Sequence, residues 1–325
     1  MKKIVMFDTS YGTQNVGDFI INEAINKQLD ELLSKNFTAR YSTHTPIQKF
    51  FQNFRRNFIS SFCQSADLKF LCGTNIFTYN LLHLNPNFNI NPFDIKNYKN
   101  VISVGCGMTP AGGKINSYTK FIYKRILSKD YIHSTRDEKT KDLLTSLGVK
   151  AINTGCPTMW SLTPEHCKKI PTKKSNKVIF TLTDYKADKE SDQKLIDILN
   201  LNYEKVYFWV QGSDDLEYFK SFKNTESIEI VSPNLESYRE ALTSGDIDYV
   251  GTRLHAGIFA MQHLVRSIII IVDNRARDIK ENYNIPTIER EEIGEYLEMM
   301  INSDFITDVK INQENIDLWK KQFLE

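Results

Sequence analysis

The 325-residue chain is longer than one hydrophobic core usually serves, and it suits two domains of ordinary size. Its 41 lysines and arginines almost equal its 40 aspartates and glutamates, so the overall charge gives no indication of a nucleic-acid partner. The five cysteines are odd in number and contain no Cys-x-x-Cys pair, which argues against a disulfide framework and a zinc site and fits a reducing cytosol.

The sequence contains no long apolar segment. The N-terminal stretch Met1–Asp8 carries a four-residue apolar run, which is too short for the apolar region of a signal peptide. The longest uncharged apolar run, Ile268–Val272, is far shorter than a membrane span. These patterns predict a cytoplasmic protein that at most lies on the inner face of the cell membrane.

A strand, a loop and a helix pattern open the chain in the manner of a Rossmann-like domain. Lys3–Phe7 is typical of a buried strand, and apolar residues recur at helical spacing over Ile21–Leu33. Asp18 is placed to cap this helix. The loop before it contains Asn15 and Gly17, and the glycine either lets the backbone approach a ligand or only makes the turn.

The segment Pro46–Phe62 predicts a basic amphipathic helix. Its aromatic and aliphatic residues recur at helical spacing, while Lys49, Arg55 and Arg56 lie off that face. The apolar face either packs against a sheet or meets anionic lipid or a lipid-linked acceptor at a membrane surface. Both interpretations stay open.

Glycine-containing loops follow the next two predicted strands, Leu68–Cys72 and Val101–Val104. In parallel α/β sheets the ligand crevice lies at the carboxyl ends of the strands, so these loops are candidates for substrate binding. The loop residues of interest are Gly73, Thr74, Asn75, Gly105 and Gly107.

An arginine follows a further predicted strand. Tyr131–Ser134 is typical of a strand, and a helix is predicted over Glu138–Leu147, ended by Gly148. Arg136 therefore lies just before the start of this helix, where free backbone N–H groups and the helix dipole favour a bound anion.

A polar, basic and proline-containing stretch, residues 163–177, is the best domain boundary. We place one Rossmann-like domain at residues 1–165 and a second at 166–325, where strand and helix patterns alternate again. The last helix, near residues 313–324, can pack back on the N-terminal domain. The predicted fold class is α/β, with two Rossmann-like domains that face a cleft lined by the loops after the strands.

The segment Tyr249–Ala260 combines a strand end, a tight turn and a helix start. Arg253 and His255 lie at this helix start and point to a bound phosphate or carboxylate. The alternative is that Arg253 pairs with a structural carboxylate and His255 only caps the turn. Because Arg136 occupies an equivalent position in the first domain, we favour a clamp formed by both arginines across the cleft.

Five short motifs occur in a fixed order along the chain. They are Asn15-x-Gly17-Asp18, Gly105-x-Gly107, Ser134-x-Arg136-Asp137, Gly251-x-Arg253-Leu254-His255 and Asp273-x-Arg275. In order and spacing the chain resembles the polysaccharide pyruvyltransferase family over residues 3–278. The resemblance implies a GT-B-like fold and transfer of a pyruvyl group from phosphoenolpyruvate to a hydroxyl pair of a bacterial cell-surface polysaccharide precursor. The products would be a pyruvate ketal and phosphate, and the acceptor is commonly lipid-linked.

The resemblance also implies roles for individual residues. Arg136 and Arg253 would hold the donor, the backbone of Leu254 would assist, and His255 would carry out the proton chemistry. The N-terminal domain would be the acceptor side and the C-terminal domain the donor side. Further substrate-binding positions are predicted at Asn15, Gly17, Asp18, Gly73, Thr74, Asn75, Gly105, Gly107, Asp273 and Arg275.

The predicted donor fits these residue types. Phosphoenolpyruvate carries a carboxylate and a phosphate, and arginines bind such groups through forked, charge-assisted hydrogen bonds. Ketal formation needs a proton on the methylene carbon, and histidine is the side chain whose pKa starts near neutral pH. The sequence shows no His, Cys, Asp and Glu cluster at metal-ligand spacing, so neither a metal nor a cofactor is expected.

Two other functions stay open. A GT-B glycosyltransferase that uses a nucleotide sugar would share the fold, the cleft and an arginine at a diphosphate. A non-catalytic relative would bind a saccharide or an anion in the same cleft. His83, His133 and His166 lack a comparable context, and His133, close to Arg136, is the one of the three worth testing.

Overall fold

The computed structural model of the chain describes residues 1–48, 58–82, 87–109 and 113–323, and for residues 274, 275, 278, 279 and 281 it describes the backbone alone. The chain divides into two compact units. The first unit contains Met1–Thr13, Ile21–Trp160 and Asn312–Glu325, and the second contains Gln14–Ile20 and Ser161–Ile311.

The predicted boundary at residue 165 lies inside the second unit. The ring Nε2 of His166 is 2.8 Å from the carbonyl oxygen of Met261, so the chain after Trp160 packs with the second unit. The last helix belongs to the first unit, where the Trp319 ring lies 6.4 Å from Phe70 and 5.6 Å from Trp160 between centroids. Neither unit is therefore a single continuous segment.

Short parallel strands and helices alternate from Lys3 to Asn153. The strands are β1 (Lys3–Asp8), β2 (Phe37–Ser42), β3 (Leu68–Cys72), β4 (Asn75–Phe77), β5 (Ile102–Val104), β6 (Gly107–Met108), β7 (His133–Thr135) and β8 (Ala151–Asn153). The helices are α1 (Val16–Gln28), α2 (Asp30–Leu33), α3 (Phe58–Ser65), α4 (Ile95–Tyr98), α5 (Ser117–Ile126) and α6 (Glu138–Ser146). The main sheet has the order β2-β1-β3-β5, and β4-β6 and β7-β8 form two parallel pairs.

Burial explains which strands of the first unit could be predicted. β1 and β3 lie at the centre of the main sheet and are buried almost throughout, so each gives a continuous apolar run. β2 lies at the edge and contains no fully buried residue, and its sequence has neither an apolar run nor a clear alternation. It was not predicted for that reason.

The second unit is a six-stranded parallel sheet with helices between the strands. The strands are β9 (Lys177–Thr181), β10 (Lys205–Trp209), β11 (Glu229–Val231), β12 (Ile247–Gly251), β13 (Ser267–Ile271) and β14 (Thr287–Glu289). The helices are α7 (Pro164–Cys167), α8 (Lys189–Asn202), α9 (Asp215–Phe219), α10 (Leu235–Thr243), α11 (Leu254–Gln262), α12 (Asn274–Tyr283) and α13 (Glu298–Asn302), and α14 (Gln313–Lys321) follows in the first unit.

The strand order of the second unit is β11-β10-β9-β12-β13-β14. The chain moves outward from β9 to one edge, returns, and continues from β12 to the other edge. This is the doubly wound order of dinucleotide-binding folds, in which ligands bind outside the carboxyl ends of the two central strands. The residues that follow β9 and β12 are therefore the place to look for a site.

A buried ion pair lies in the scaffold of this sheet, away from the carboxyl ends of its strands. Arg266 and Asp248 are each about 1% exposed, and their Nη1 and Oδ2 atoms are 2.8 Å apart. Nη2 of Arg266 also donates to the carbonyl oxygens of Met300, Ile301 and Ser303, at the end of α13. The pair precedes the carboxyl ends of the strands and is part of the scaffold.

The predicted helix at residues 46–62 falls mostly outside the described residues, because residues 49–57 are not among them. Of the described residues of its apolar face, Ile47 and Phe62 pack against the core of the first unit, as the first interpretation expects, while Phe58 in α3 is 84% exposed. Within the described ranges, no helix is long and apolar enough to cross a bilayer.

Candidate active site

Arg253 lies at the switch point of the second sheet. It is the second of the two residues between β12 and α11, and its backbone N–H donates to Thr181 Oγ1 at the end of β9 over 3.2 Å. Gly251 allows the two strand ends to approach, because a Cβ there would lie 2.5 Å from Thr181 Oγ1. The predicted strand, turn and helix start around Arg253 are thus present.

The guanidinium of Arg253 is held by two carboxylates. Nη2 donates to Asp184 Oδ1 over 3.0 Å and makes a close contact with Asp215 Oδ1, while Nε donates to the carbonyl oxygen of Leu182 over 3.0 Å. The side chain is 5% exposed, and the Tyr185 ring lies over it with 5.0 Å from Cζ to the centroid. No described residue accepts a hydrogen bond from Nη1.

Asp215 and Gly212 fix this arrangement from the next loop. Gly212 N–H donates to Asp215 Oδ2 over 2.7 Å, and a Cβ on Gly212 would lie 2.5 Å from Nη2 of Arg253. Burial raises the pKa of Asp215, and the Arg253 guanidinium beside it opposes that rise. With both carboxylates ionised, the group formed by Asp184, Asp215 and Arg253 carries a net charge of about −1.

The segment Asn15–Gly17 lies beside the same loop. Asn15 Oδ1 accepts hydrogen bonds from Gly17 N–H over 3.0 Å and from Gln211 Nε2 over 2.9 Å, and Asn15 forms an antiparallel bridge with Gly212. A Cβ on Gly17 would lie 2.9 Å from Gln211 Nε2, so a larger residue there would displace that side chain. The cap of α1 is Asn15; the prediction of Asp18 as the cap was wrong, because α1 begins at Val16 and Asp18 lies within its first turn.

The remaining predicted residues of the second unit lie at two helix starts. Leu254 and His255 are the first two residues of α11, and both are partly buried. Asp273 follows β13 and accepts a hydrogen bond from Ala276 N–H over 3.1 Å, so it caps α12. The side chain of Arg275 lies outside the described part of the chain.

Arg136 forms the corresponding group in the first unit. It follows β7, its backbone N–H donates to the Cys106 carbonyl oxygen over 2.9 Å, and its Nη2 makes a close hydrogen bond to Asn75 Oδ1. A Cβ on Gly107 would lie 2.8 Å from the guanidinium carbon, so this glycine makes room for the side chain. The side chain of Arg136 is 12% exposed and its Nε is 3.9 Å from Asp137 Oδ2.

Thr74, Gly73 and Gly105 support that group through the backbone. The Thr74 carbonyl oxygen accepts from Gly107 N–H over 2.9 Å, and Gly73 N–H donates to the Val104 carbonyl oxygen over 3.0 Å. A Cβ on Gly73 would collide with the Gly105 carbonyl, and Gly105 has φ +57° against the Pro157 ring. The structure thus explains these two glycines by close packing of strand ends.

Comparison with known proteins identifies the family of this chain. The sequence profile of the polysaccharide pyruvyl transferase family matches residues 15–274. The chain belongs to this family. None of the curated proteins compared with it matches.

Solved structures support the fold of this pyruvyl transferase family member. UDP-GlcNAc 2-epimerase of Methanocaldococcus jannaschii, in complex with UDP-GlcNAc and UDP, is similar with a TM-score of 0.53 at 13% identity, over 98% of each chain. MnaA of S. aureus with UDP gives a TM-score of 0.53 at 12% identity, over 100% of this chain and 97% of that one. The α/β, GT-B-like fold class is confirmed.

The acidic partners of Arg253 in this pyruvyl transferase family member were missed from the sequence, as was Gln211. Asp184 follows β9, Asp215 and Gln211 follow β10, and both strands were predicted. Examining every polar residue after every predicted strand would have found them, since all reach the same sheet edge. Their pairing with Arg253 could not be predicted from the sequence, because the paired residues lie far apart along the chain.

The other histidines have structural surroundings. His133 is buried, its Nε2 lies 2.9 Å from the Ser128 carbonyl oxygen, and its Nδ1 accepts from Ser103 N–H over 3.1 Å. Burial lowers its pKa to about 4, so the ring is neutral at pH 7. His83 lies outside the described residues. Across the ranges that are described, no group of three or more His, Cys, Asp or Glu side chains is placed to hold a metal ion.

Proposed function

We propose that the protein transfers a pyruvyl group from phosphoenolpyruvate to two hydroxyls of a saccharide, forms a pyruvate ketal and releases phosphate. The saccharide is a precursor of a cell-surface polysaccharide. Family membership supports the transferase class. The structural observation that carries the proposal is Arg136, whose guanidinium donates to the neutral amide of Asn75 and has one carboxylate, Asp137, only at 3.9 Å, so most of its charge is available to an anion.

The donor is bound through its charges in this proposal. Arg136 binds one anionic group through the guanidinium hydrogens that Asn75 does not use. The sequence resemblance assigns a donor-binding role to Arg253 as well; within the second unit its Nη1 would serve, since its other donors are occupied by Leu182, Asp184 and Asp215. Protonation of the buried Asp215 makes the Arg253 group less negative and favours the donor.

The chemistry assigns His255 to proton transfer. A proton from the His255 ring to the methylene carbon leaves the adjacent carbon electron-poor, and a sugar hydroxyl oxygen attacks that carbon and loses its proton. The carbon–oxygen bond to phosphate then breaks, with the electron pair leaving on phosphate, and the second hydroxyl attacks and loses its proton. One phosphoenolpyruvate and one diol thus give one ketal and one phosphate. The position of His255 at the start of α11 places it beside Arg253 in the chain.

The test is to incubate purified protein with phosphoenolpyruvate and saccharide acceptors and to measure phosphate release and acceptor mass. A product heavier by a pyruvate ketal supports the proposal. A glycosyl mass gain with UDP-GlcNAc and none with phosphoenolpyruvate would replace it with nucleotide-sugar transfer. Saccharide binding without either product would indicate a non-catalytic member.

A further inference from the structure

The second unit contains a cavity of about 590 Å³ at the carboxyl edge of its sheet. Its walls come from the segments that follow β9, β13 and β14: residues 185–188, 271–272, 277 and 290–291. The volume falls in the range of small-molecule sites, and the edge of the sheet is where such folds bind ligands. Of the positions predicted from the sequence whose side chains are described, none lines it.

This cavity adjoins the group around Arg253. Arg253 follows β12, which lies between β9 and β13 in the sheet, and the cavity is lined by the segment after β9 and by the end of β13. Tyr185 belongs to both places, because it lines the cavity and also lies over the Arg253 guanidinium at 5.0 Å. A ligand in the cavity is thus separated from Arg253 by one aromatic ring.

The charges of the cavity are compensated. Nη2 of Arg290 is 3.1 and 3.2 Å from the two carboxylate oxygens of Asp192, and Nη2 of Arg277 is 2.9 Å from Glu289 Oε2. Lys186 faces a wall that also carries Asp188 and Glu291. Lys280 Nζ is 3.5 Å from the other oxygen of Glu289. Among the described side chains of the lining and their partners, four cations are therefore matched by four carboxylates, which leaves no excess positive charge among them to select a phosphate. The cationic donors and anionic acceptors that these ion pairs hold in place can instead form hydrogen bonds with the hydroxyls of an uncharged sugar.

The aromatic wall fits the same ligand. Tyr185 is 54% exposed, and the partly buried Val272 also lines the cavity. A pyranose ring has an apolar C–H face and a polar rim, so it can pack against the ring of a tyrosine while its hydroxyls reach charged groups. A planar anion such as phosphoenolpyruvate has no comparable apolar face.

We propose that this cavity binds an uncharged pyranose residue of the acceptor saccharide, with Tyr185 as the wall between that sugar and Arg253. The inference rests on the proposed function for the acceptor role. It assigns acceptor recognition to the second unit, whereas the sequence resemblance placed the acceptor on the N-terminal domain.

Filling the cavity tests the inference. Ala187 is exposed and lines the cavity, so Ala187→Trp adds bulk there without disturbing the core. Ala187→Ser is the matched small variant, and Lys189→Trp adds the same bulk at an exposed neighbour that does not line the cavity. Urea unfolding of all variants checks that they fold alike. Saturation-transfer NMR with a set of neutral p-nitrophenyl hexopyranosides, without donor, measures sugar binding, and calorimetry measures phosphoenolpyruvate binding.

We expect wild type, Ala187→Ser and Lys189→Trp to bind a hexopyranoside with similar dissociation constants. Ala187→Trp should weaken that binding at least about tenfold while phosphoenolpyruvate binding is unchanged. No sugar binding by wild type, or equal binding by Ala187→Trp, would overturn the inference. Loss of UDP binding in Ala187→Trp with sugar binding retained would assign the cavity to a nucleotide instead. Failure of phosphoenolpyruvate to bind wild type would refute the proposed function and leave the sugar result to be judged separately.

Discussion

Arg136 and Arg253 occupy the same place in two units, after a parallel strand and before a helix, yet their electrostatic surroundings differ. Arg136 is held by the amide of Asn75, with one carboxylate at 3.9 Å, whereas Arg253 contacts two carboxylates directly. A glycine faces each guanidinium: Gly107 in the first unit and Gly212 in the second. The comparison teaches that position at a helix start does not determine whether an arginine has charge to offer a ligand. Its partners determine that.

The largest difference should appear in stability. Arg253→Ala leaves the buried Asp215 without its cation and should lower the free energy of unfolding by about 3–5 kcal/mol. Arg136→Ala loses a hydrogen bond from a charged guanidinium to a neutral amide and should cost about 1.5–3 kcal/mol. Urea unfolding of both variants measures the contrast. Asp215→Ala added to Arg253→Ala should recover part of the loss, and equal losses for the two single variants would contradict the comparison.

For catalytic activity, in contrast to stability, we expect the decisive loss at Arg136. Arg136→Ala removes a donor to the anionic substrate and should lower phosphate release from phosphoenolpyruvate about 100- to 1,000-fold without unfolding the protein. Arg136→Lys keeps the charge but not the fork, so it should recover only part of the rate. Arg125→Ala, an exposed arginine of the same unit, is the control and should leave the rate unchanged. A near-normal rate in Arg136→Ala would remove this arginine from the site.

The scaffold behind Arg136 should be acid-sensitive. The pKa of His133 is lowered from 6.5 to about 4 in the folded state, so the unfolded chain binds the additional proton between these values. The stability contributed by neutral His133 is present above pH 6.5 and is lost as the pH falls through about 4, by roughly 3 kcal/mol. His133→Gln should reduce the slope of unfolding free energy against pH in this window. An unchanged slope would show that His133 does not control it.

The smallest expected effect is a change in donor binding, caused by the carboxylates that pair with Arg253. Burial raises the pKa of Asp215, so lowering the pH from neutral removes negative charge beside Arg253 and should favour donor binding. Asp215→Asn should imitate the protonated state, bind phosphoenolpyruvate roughly tenfold more tightly at neutral pH, and lose part of the pH dependence. Calorimetry of both proteins in the same buffers measures this, because the titration of the ligand itself cancels in the difference. Weaker binding by Asp215→Asn would mean that the ionised carboxylate helps the site.

The sequence predicted the elements that bury apolar runs and the arginines that follow them. β1, β3, β9, β10, β12 and β13 are visible because parallel strands inside a sheet that is covered on both faces are largely apolar. The edge strand β11 has no buried residue and was predicted only from the short apolar run that ends at Val231. β2 was missed because an edge strand has no such run, and α12 because its sequence, NRARDIKENY, is almost wholly polar. The placement of Arg136 and Arg253 followed from local patterns. What holds each one depends on the register of strands that are distant in the chain, and no local pattern contains that information.

The last helix has a consequence for how the protein is made. Trp319 packs against Phe70 and Trp160, so the aromatic core of the first unit contains a residue synthesised after the whole second unit. On the ribosome, domains usually fold in the order in which they emerge. Here the first unit can be completed only after its last residues have been synthesised. The second unit consists of Gln14–Ile20 and Ser161–Ile311, so all of its residues are synthesised earlier. The part that is translated first is thus the part that is completed last.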